Sequence, residues 1–303
     1  MIAAAAPICL FAYKRPLHVK QAIDALRRNP LASRSHLVIY SDGAKVAGDV
    51  SAVQEVRSAC HAVSGFASVR VVERESNLGL SRSVISGVTE MCNTFGRVIV
   101  VEDDLVVSPY FLDYMNAALD LYETDASVFS IHGYVFPVRA SLPETFFLLG
   151  ADCWGWATWS RAWRNFEADG SKLMEGLSRA KLLGRFDFDG AYDYSGMLQQ
   201  QIDGRIDSWA IRWQASALLM GGLTLYPGRS LLRNIGFDDT GTHSSATTEF
   251  DVEISDAPIR VNRIPLIENE AALAAFADYY RALRPKGIKR AVLSLKRALR
   301  RYL

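Results

Sequence analysis

Three adjacent carboxylates, Glu102, Asp103 and Asp104, are the residues of this sequence that most clearly indicate chemistry. They directly follow the apolar run 98–101, which predicts a buried strand. Neighbouring carboxylates repel one another unless a cation or a hydrogen-bond donor lies among them. A hard divalent ion, Mg²⁺ or Mn²⁺, is a natural partner and leaves positions open for phosphate oxygens. The alternative is an acidic turn that only favours the N-terminus of the next helix.

An alternation of strands and helices must position these carboxylates. Apolar runs predict strands at 8–13, 37–40, 69–72 and 98–101, and helices between and after them at 17–28, 50–62, 80–95 and up to 122. This order predicts a parallel sheet in an α/β sandwich, whose ligands bind at the carboxyl ends of the strands. We therefore expect one sheet edge to carry the following polar residues: Lys14, Arg15, Asp42, Asn77, Arg82 and the triplet Glu102, Asp103 and Asp104.

The composition excludes several other classes of protein. The chain has 303 residues, 50% of them hydrophobic, and a net charge of +1, so neither a disordered chain nor a generally nucleic-acid-binding surface is indicated. No apolar run reaches the roughly 18–20 residues of a membrane span. The apolar N-terminus lacks a basic region and is interpreted as leading into the first strand, which favours a cytoplasmic protein. Four widely spaced cysteines indicate neither a zinc site nor a disulfide framework.

The C-terminal residues 281–303 differ from the rest of the chain in charge. They contain nine basic and no acidic residues, whereas residues 1–280 contain 25 basic against 33 acidic residues. Apolar residues recur there at helical spacing and predict one apolar stripe: Ile288, Val292, Leu295, Leu299 and Leu303. This helix either docks on the body of the protein or lies on an anionic membrane surface, and the periodicity alone does not distinguish the two.

The ordered motifs of the first half resemble those of GT-A glycosyltransferases. They are Pro-Ile-Cys-Leu-Phe-Ala-Tyr-Lys-Arg-Pro at 7–16, Ser-Asp-Gly at 41–43, Asn-Leu-Gly at 77–79 and Glu-Asp-Asp-Leu at 102–105. Within that fold, the chain is most similar to the N-acetylglucosaminyltransferase I-like family, whose variant of the DXD motif is also Glu-Asp-Asp. The resemblance covers residues 7–245 and is strongest in the first 115. It implies a GT-A type, Rossmann-like, mostly parallel sheet flanked by helices, with an irregular acceptor-side second half.

The same resemblance implies roles for individual residues. Asp104 would coordinate the metal, Mn²⁺ or Mg²⁺, that bridges the diphosphate of the donor, and Asp42 would accept a hydrogen bond from a uracil base. Glu102 and Asp103 would hold the ribose and its surroundings. The complete set of expected nucleotide-binding residues is Ala12, Arg15, Asp42, Arg82, Glu102 and Asp103. For Arg15 or Arg82 taken alone, ordinary surface charge is the favoured interpretation.

The second half is rich in tryptophan and carries the expected catalytic base. Trp154 and Trp156 lie in a Gly-Trp element and are candidates for one wall of the sugar site, although core packing is the alternative. Asp207 stands before Ser208 and Trp209, where the family has Asp-Asp-Trp and uses the first aspartate as the base. An N-cap role is the alternative for Asp207. Asp152 and Asp193 are reserve candidates for the base.

The segment from 226 onward predicts a strand and a loop that could close over the donor. Arg233 or His243 would then lie near the diphosphate, though a lone loop histidine is more often simply solvated. The expected organisation is a nucleotide-sugar-binding half at 1–125, an acceptor-binding half of the same domain at 126–280, and the basic helix at 281–303.

Together these residues predict a metal-dependent, inverting glycosyltransferase. Its donor would be a UDP-linked sugar, such as UDP-GlcNAc, and its acceptor a saccharide or a lipid-linked saccharide, in surface glycan synthesis. The alternatives are a sugar nucleotidyltransferase and a non-catalytic saccharide-binding protein on the same fold. The first would usually carry a glycine-rich loop after the first strand, and this chain has none. The second gives no reason for crowding three carboxylates. The location would be cytoplasmic, with peripheral contact at the inner face of the membrane through 281–303.

Overall fold

The computed structural model describes residues 5–238 and 247–283. Ten strands lie in these ranges: β1 (Ile8–Ala12), β2 (His36–Ser41), β3 (Ser68–Glu73), β4 (Arg97–Glu102), β5 (Leu105–Val107), β6 (Val128–His132), β7 (Thr145–Leu149), β8 (Trp156–Trp159), β9 (Leu223–Pro227) and β10 (Leu232–Asn234). The α-helices there are α1 (Pro16–Arg27), α2 (Val50–His61), α3 (Leu80–Phe95), α4 (Phe111–Leu121), α5 (Ser160–Trp163), α6 (Gly170–Arg179), α7 (Leu183–Phe186), α8 (Tyr194–Ile202), α9 (Trp209–Leu219) and α10 (Glu270–Leu283). Short 3₁₀ turns span Pro30–Arg34 and Ala47–Asp49.

Eight strands form one mostly parallel sheet, in the order β3-β2-β1-β4-β8-β6-β9-β7. The four strands of the first half are parallel to one another, as the sequence predicts. Of the strands of the second half, β8 is antiparallel to β4 and β6, and β7 is antiparallel to β9, whereas β6 and β9 are parallel. The α/β class and the mostly parallel sheet are thus confirmed, and the irregularity of the second half lies in these two reversed strands.

Helices cover both faces of the sheet because alternate strand residues point to opposite sides. On one face, Leu10 of β1 belongs to the cluster that includes Ile23 of α1 and Met115 of α4. On the other face, Phe11 packs in the cluster that includes Val88 of α3 and Trp213 of α9. Because helices cover both faces of the sheet, its central strands must be apolar on both sides. The sequences of β1, β2 and β4 are accordingly continuous apolar runs.

Two of the alternative interpretations of these elements differ from the structure. The acidic triplet does not lead straight into a helix, because β5 intervenes and pairs antiparallel with β10 in a separate two-stranded sheet. Ser208, and not Asp207, caps α9, since the Ser208 hydroxyl accepts the N–H of Ile211 at 3.3 Å. All four cysteines are free thiols. The expected basic helix lies outside the described residues from position 284 onward, and none of the described helices is long and apolar enough to cross a membrane.

Candidate functional site

The carboxyl ends of β1 and β2 meet a loop that Asp42 holds in place. Both carboxylate oxygens of Asp42 are bonded inside the protein, to the N–H groups of Gly43, Leu78 and Gly79 at 2.9, 2.8 and 2.9 Å and to the Asn77 amide at 3.0 Å. The backbone N–H of Asp42 in turn donates to the carbonyl of Ala12 at 3.0 Å. A carboxylate has about four acceptor positions, so Asp42 organises this loop, and its bond to a base stays a prediction.

Two glycines make the Asp42 loop possible. A Cβ at Gly43 would lie 2.5 Å from the backbone carbon of Ser76, so no larger residue fits there without moving the loop. Gly79, the residue before α3, has a φ of +77°, in the region that disfavours side chains. These are the glycines of the Ser-Asp-Gly and Asn-Leu-Gly motifs, and both serve the packing of the loop against the end of β2.

The acidic triplet follows β4 on the same edge, and Arg15 joins it. One nitrogen of the Arg15 guanidinium lies 2.6 Å from Asp103 Oδ1 and 2.8 Å from Asp104 Oδ2. The other oxygen of Asp103 accepts the N–H of Tyr13 at 3.2 Å. The predicted neighbourhood of Arg15, Asp103 and Asp104 is therefore present, whereas Arg82 is exposed on the first turn of α3.

Burial and mutual repulsion disfavour the charged forms of the carboxylates in this triplet. The pKa of Glu102 is raised well above its ordinary value, first by burial and then by the charges of Asp104 and Asp103. Burial also raises the pKa of Asp103, although Arg15 opposes the rise. Burial alone would lower the pKa of Arg15, but the two aspartates raise it further above its usual range. The arrangement thus depends on a cation being held among the carboxylates.

Residues 235–238, here called the cover segment, follow β10 and cover the triplet. The N–H of Ile235 donates to the carbonyl of Asp104 at 2.8 Å, and a Cβ at Gly236 would lie 2.2 Å from Asp104 Oδ2. Arg233, on β10, is exposed and lines a cavity of about 440 Å³ together with Phe237 and Asp251. The expected strand-and-loop element is therefore next to the triplet. His243 lies outside the described residues.

Asp207 lies at the start of α9 and is held by a buried arginine. Arg212 Nη2 is 3.1 Å from Asp207 Oδ1 and 2.5 Å from the hydroxyl of Ser81, which belongs to the first turn of α3. This contact fixes the start of α9 against the start of α3, just beyond the Asp42 loop. The Asp207 side chain is 60% exposed, so an acceptor hydroxyl could reach it. Asp193, one reserve base, instead caps α8 through the N–H of Gly196.

The two tryptophan candidates have different environments. Trp156 has no exposed surface and stacks on Trp209 at 5.4 Å between ring centroids, so it cannot form a wall of a sugar site as it stands, and this expectation is wrong. Trp156 belongs to a core of four tryptophans that α9 completes. Trp154 is only partly buried and packs edge-on against Phe237 and Phe250 beside the cover segment. Its role at a sugar site stays a prediction.

The strand register places Asp152, predicted only as a reserve candidate for the catalytic base, near the buried His132. Trp156 pairs with Val100 of β4 and with His132 of β6, so residues 152–154 stand between the triplet and the end of β6. The N–H of Trp154 donates to His132 Nε2 at 3.2 Å, and Asp152 Oδ1 lies 4.0 Å from the same nitrogen.

A second missed group follows β1, where Asp49 accepts from the Tyr13 hydroxyl and from Lys14 at 2.7 and 2.8 Å. The antiparallel pairing of β8 could not be read from local sequence.

The donor set at the triplet suits a divalent cation that also binds phosphate. No cluster of three or more His, Cys, Asp or Glu side chains poised to hold a metal occurs among residues 5–238 and 247–283. However, Asp103 and Asp104 converge on one nitrogen of Arg15, which places two hard oxygen ligands together. Mg²⁺ is typically bound by one or two carboxylates plus the phosphates of a substrate. The residues present therefore fit such an ion when a diphosphate completes the site.

Comparison with known proteins gives only distant likenesses. No family model and no curated protein matches the sequence. Among solved structures, the chain is similar to the mannosyltransferase PcManGT from Pyrobaculum calidifontis in complex with GDP-Man and Mn²⁺, at 13% identity over 43% of this chain and 35% of that one, with a TM-score of 0.31. It is also similar to S. aureus TarS, at 14% identity over 48% of this chain and 25% of that one, with a TM-score of 0.31. For an active-site mutant of LgtC, the identity is 10% over 57% of this chain and 64% of that one, with a TM-score of 0.34. The chain thus spans less than two thirds of each of these proteins, and TM-scores this low assign it neither a family nor an activity.

Proposed function

We propose that this chain is a metal-dependent, inverting glycosyltransferase that moves a sugar from a UDP-linked donor to a saccharide acceptor. The observation that supports the proposal most is the contact of Arg15 with Asp103 and Asp104, on the sheet edge that also carries the Asp42 loop. Departure of a nucleoside diphosphate from a sugar requires its negative charge to be neutralised. A guanidinium beside two carboxylates offers a phosphate ligand and a set of metal ligands at one place.

The donor would lie across the ends of β2, β1 and β4. Asp42 fixes the loop at 77–79 beside which the base would rest, and a uracil N–H would share a carboxylate oxygen that is already bonded. Glu102 and Asp103 would face the ribose, and Arg15 would bind the diphosphate. A Mn²⁺ or Mg²⁺ ion held by Asp104 would supply further neutralisation of the diphosphate charge. Arg233, on the strand that pairs with β5, would face the same region from just before the cover segment.

The acceptor would approach from the side of Asp207. In an inverting transfer, a carboxylate takes the proton of the acceptor hydroxyl while that oxygen attacks the anomeric carbon on the face opposite the phosphate. Asp207 is exposed enough for this contact, and its ion pair with Arg212 holds it in one orientation. Trp154, beside the cover segment, would contribute an aromatic face to the sugar.

Calorimetric binding of UDP, with GDP and TDP as comparison nucleotides and with and without Mn²⁺, tests this proposal. We expect UDP to bind the wild type in a Mn²⁺-dependent manner, and Asp104→Ala to lose at least roughly tenfold in affinity because a metal ligand is removed. Asp203→Ala is the matched control, since Asp203 is an exposed carboxylate paired with Arg205 and is expected to change nothing. If the folded wild type binds no nucleotide under any of these conditions, the proposal fails, and a saccharide-binding role replaces it.

A further inference from the structure

The position that a divalent ion would occupy beside Asp104 already has a cationic occupant. Arg15 Nη2 bridges Asp103 Oδ1 at 2.6 Å and Asp104 Oδ2 at 2.8 Å, and the three side chains are 18%, 8% and 15% exposed. Charge-assisted contacts this short and this sheltered from water are among the stronger interactions in a folded protein. A metal ion that binds Asp104 Oδ2 must therefore displace the short contact of the Arg15 guanidinium with that oxygen.

The cover segment leaves no room for a second cation in the same place. The bond from Ile235 N–H to the Asp104 carbonyl fixes the backbone above the triplet. A Cβ built on Gly236 would lie 2.2 Å from Asp104 Oδ2 and 3.0 Å from Arg15 Nη1. With the backbone this close, Arg15 and a hydrated divalent ion cannot both contact Asp104 Oδ2.

A diphosphate changes this competition because it is itself an anion that a guanidinium binds. Arginine forms bidentate contacts with phosphate of the same kind that it forms with carboxylate. When Arg15 turns from Asp104 to a phosphate, each cation keeps an anionic partner. The carboxylate it releases is then available to an ion whose other ligands are phosphate oxygens. No charge is left buried without a counter-ion, which would otherwise be strongly unfavourable.

We propose that Arg15 and a divalent cation are alternative counter-ions of Asp104, and that a nucleoside diphosphate drives the exchange by accepting the guanidinium. This inference rests on the proposed function and adds to it an order of binding. The metal binds poorly to the protein alone and tightly once the nucleotide is present. Since coupling between two ligands is reciprocal, the nucleotide also binds more tightly in the presence of the metal.

The exchange is tested by titrating the protein with Mn²⁺ in the absence of any nucleotide. Electron paramagnetic resonance of the free ion measures how much Mn²⁺ is bound. Arg15→Met removes the competing charge and keeps an unbranched side chain, and we expect it to bind Mn²⁺ alone at least roughly tenfold more tightly than the wild type, given the strength of a charged hydrogen bond. Lys14→Met is the matched control. It removes the neighbouring positive charge, which contacts Asp49 and not the triplet, and should leave Mn²⁺ affinity nearly unchanged.

Several outcomes overturn the inference. One is an Arg15→Met variant that binds Mn²⁺ no more tightly than the wild type, and another is an equal gain in Lys14→Met, which would show a general charge effect. Should Arg15→Met fail to fold, Arg15→Gln replaces it, with the same expected direction. Failure of the proposed function is seen separately, as absence of UDP binding to the wild type. If the wild type binds UDP but the arginine variants have unchanged Mn²⁺ affinity, the exchange is wrong and the proposed function is not contradicted.

Discussion

At the scale of single residues, Arg212 explains how an exposed aspartate can have a fixed orientation. Its guanidinium is buried and bonds to Ser81, to the carbonyls of Ser208 and Ala168, and to Asp207. Burial lowers the pKa of Arg212, and Asp207 opposes that change. Because four acceptors surround it, the guanidinium cannot rotate away from Asp207 without losing several contacts. Arg212 is therefore a positioning residue, and Asp207 is the group it presents.

Asp207→Asn should abolish most of the transfer while leaving donor binding intact. The amide keeps the shape of the side chain but cannot take a proton, and positioned general bases contribute roughly 10²- to 10⁴-fold to rates. We expect kcat for sugar transfer to fall by that factor and the Kd for UDP with Mn²⁺ to stay within about twofold, since the carboxylate is assigned no donor contact. Asp203→Asn, an exposed carboxylate on the neighbouring helix end, serves as the control. Full activity in Asp207→Asn would contradict the assignment of the base.

At the scale of elements, the Asp42 loop joins the end of β2 to the start of α3. No short-range pattern of helix or strand requires residues 42 and 77–79 to touch, yet three hydrogen bonds connect them. Asp42 is almost fully buried, so these bonds are sheltered from water. The loop therefore depends on a carboxylate that can only accept.

Asp42→Asn should loosen this loop and destabilise the protein. An amide replaces one acceptor oxygen by a donor, which leaves buried N–H groups without an acceptor, at a cost of about 1–3 kcal/mol in the free energy of unfolding. Urea denaturation would measure the loss, and hydrogen exchange at Leu78 and Gly79 would locate it. Asp24→Asn, which breaks an exposed pair with Arg27, should change stability by a few tenths of a kcal/mol at most. Unchanged exchange at Leu78 and Gly79 would argue against the role given to Asp42.

The elements that the sequence predicted correctly are those with local signals. β1, β2 and β4 are apolar runs buried on both faces, and a proline opens α1, so periodicity and helix signals were sufficient. Because the sheet is parallel there, the strand-end rule also placed Arg15 near the triplet. The missing elements depend on pairing between distant segments. β5 is three residues long and exists through β10, about 125 residues further along, which no local window contains.

For some candidate site residues, packing and not residue type decides where the side chain lies. Trp156 and Trp154 are two residues apart in one Gly-Trp element, but Trp156 begins β8 and is buried against α9, whereas Trp154 precedes the strand and packs against Phe237. Composition cannot distinguish them, since both are tryptophans beside glycine. Likewise, the sequence predicts Arg15 near a nucleotide but not its contacts with Asp103 and Asp104. Those contacts depend on the register of β1 against β4.

At the scale of the whole molecule, the two halves of the chain share one continuous sheet and one buried histidine stands near their junction. His132 ends β6 and has no exposed surface, and Trp154 N–H donates to its Nε2. Asp152 faces it at 4.0 Å, and the rings of Tyr134 and Tyr226 pack on it. Burial lowers the pKa of His132, and Asp152 opposes this only in part.

This histidine should make the stability of the protein fall in mild acid. A histidine whose folded pKa is lowered takes up a proton more readily when unfolded, so stability is complete above the ordinary value of 6.5 and declines as pH falls below it. We expect the free energy of unfolding in urea to decrease between pH 6.5 and about pH 5, before most carboxylates titrate. His132→Gln, which can still accept the Trp154 N–H, should flatten that decline. Equal slopes for both proteins would exclude His132 as the cause.

The placement of β8 has a consequence for how the chain is made on the ribosome. β4 pairs with β1 on one side and with β8 on the other, and β8 begins at Trp156, more than fifty residues after β4 ends. A growing chain that has emerged only through the first four strands therefore presents one open edge of the apolar strand β4, next to its acidic triplet. Open edges of this kind recruit other strands. The nascent first half should need protection, by a chaperone or by rapid synthesis, until the tryptophan-rich segment arrives to close it.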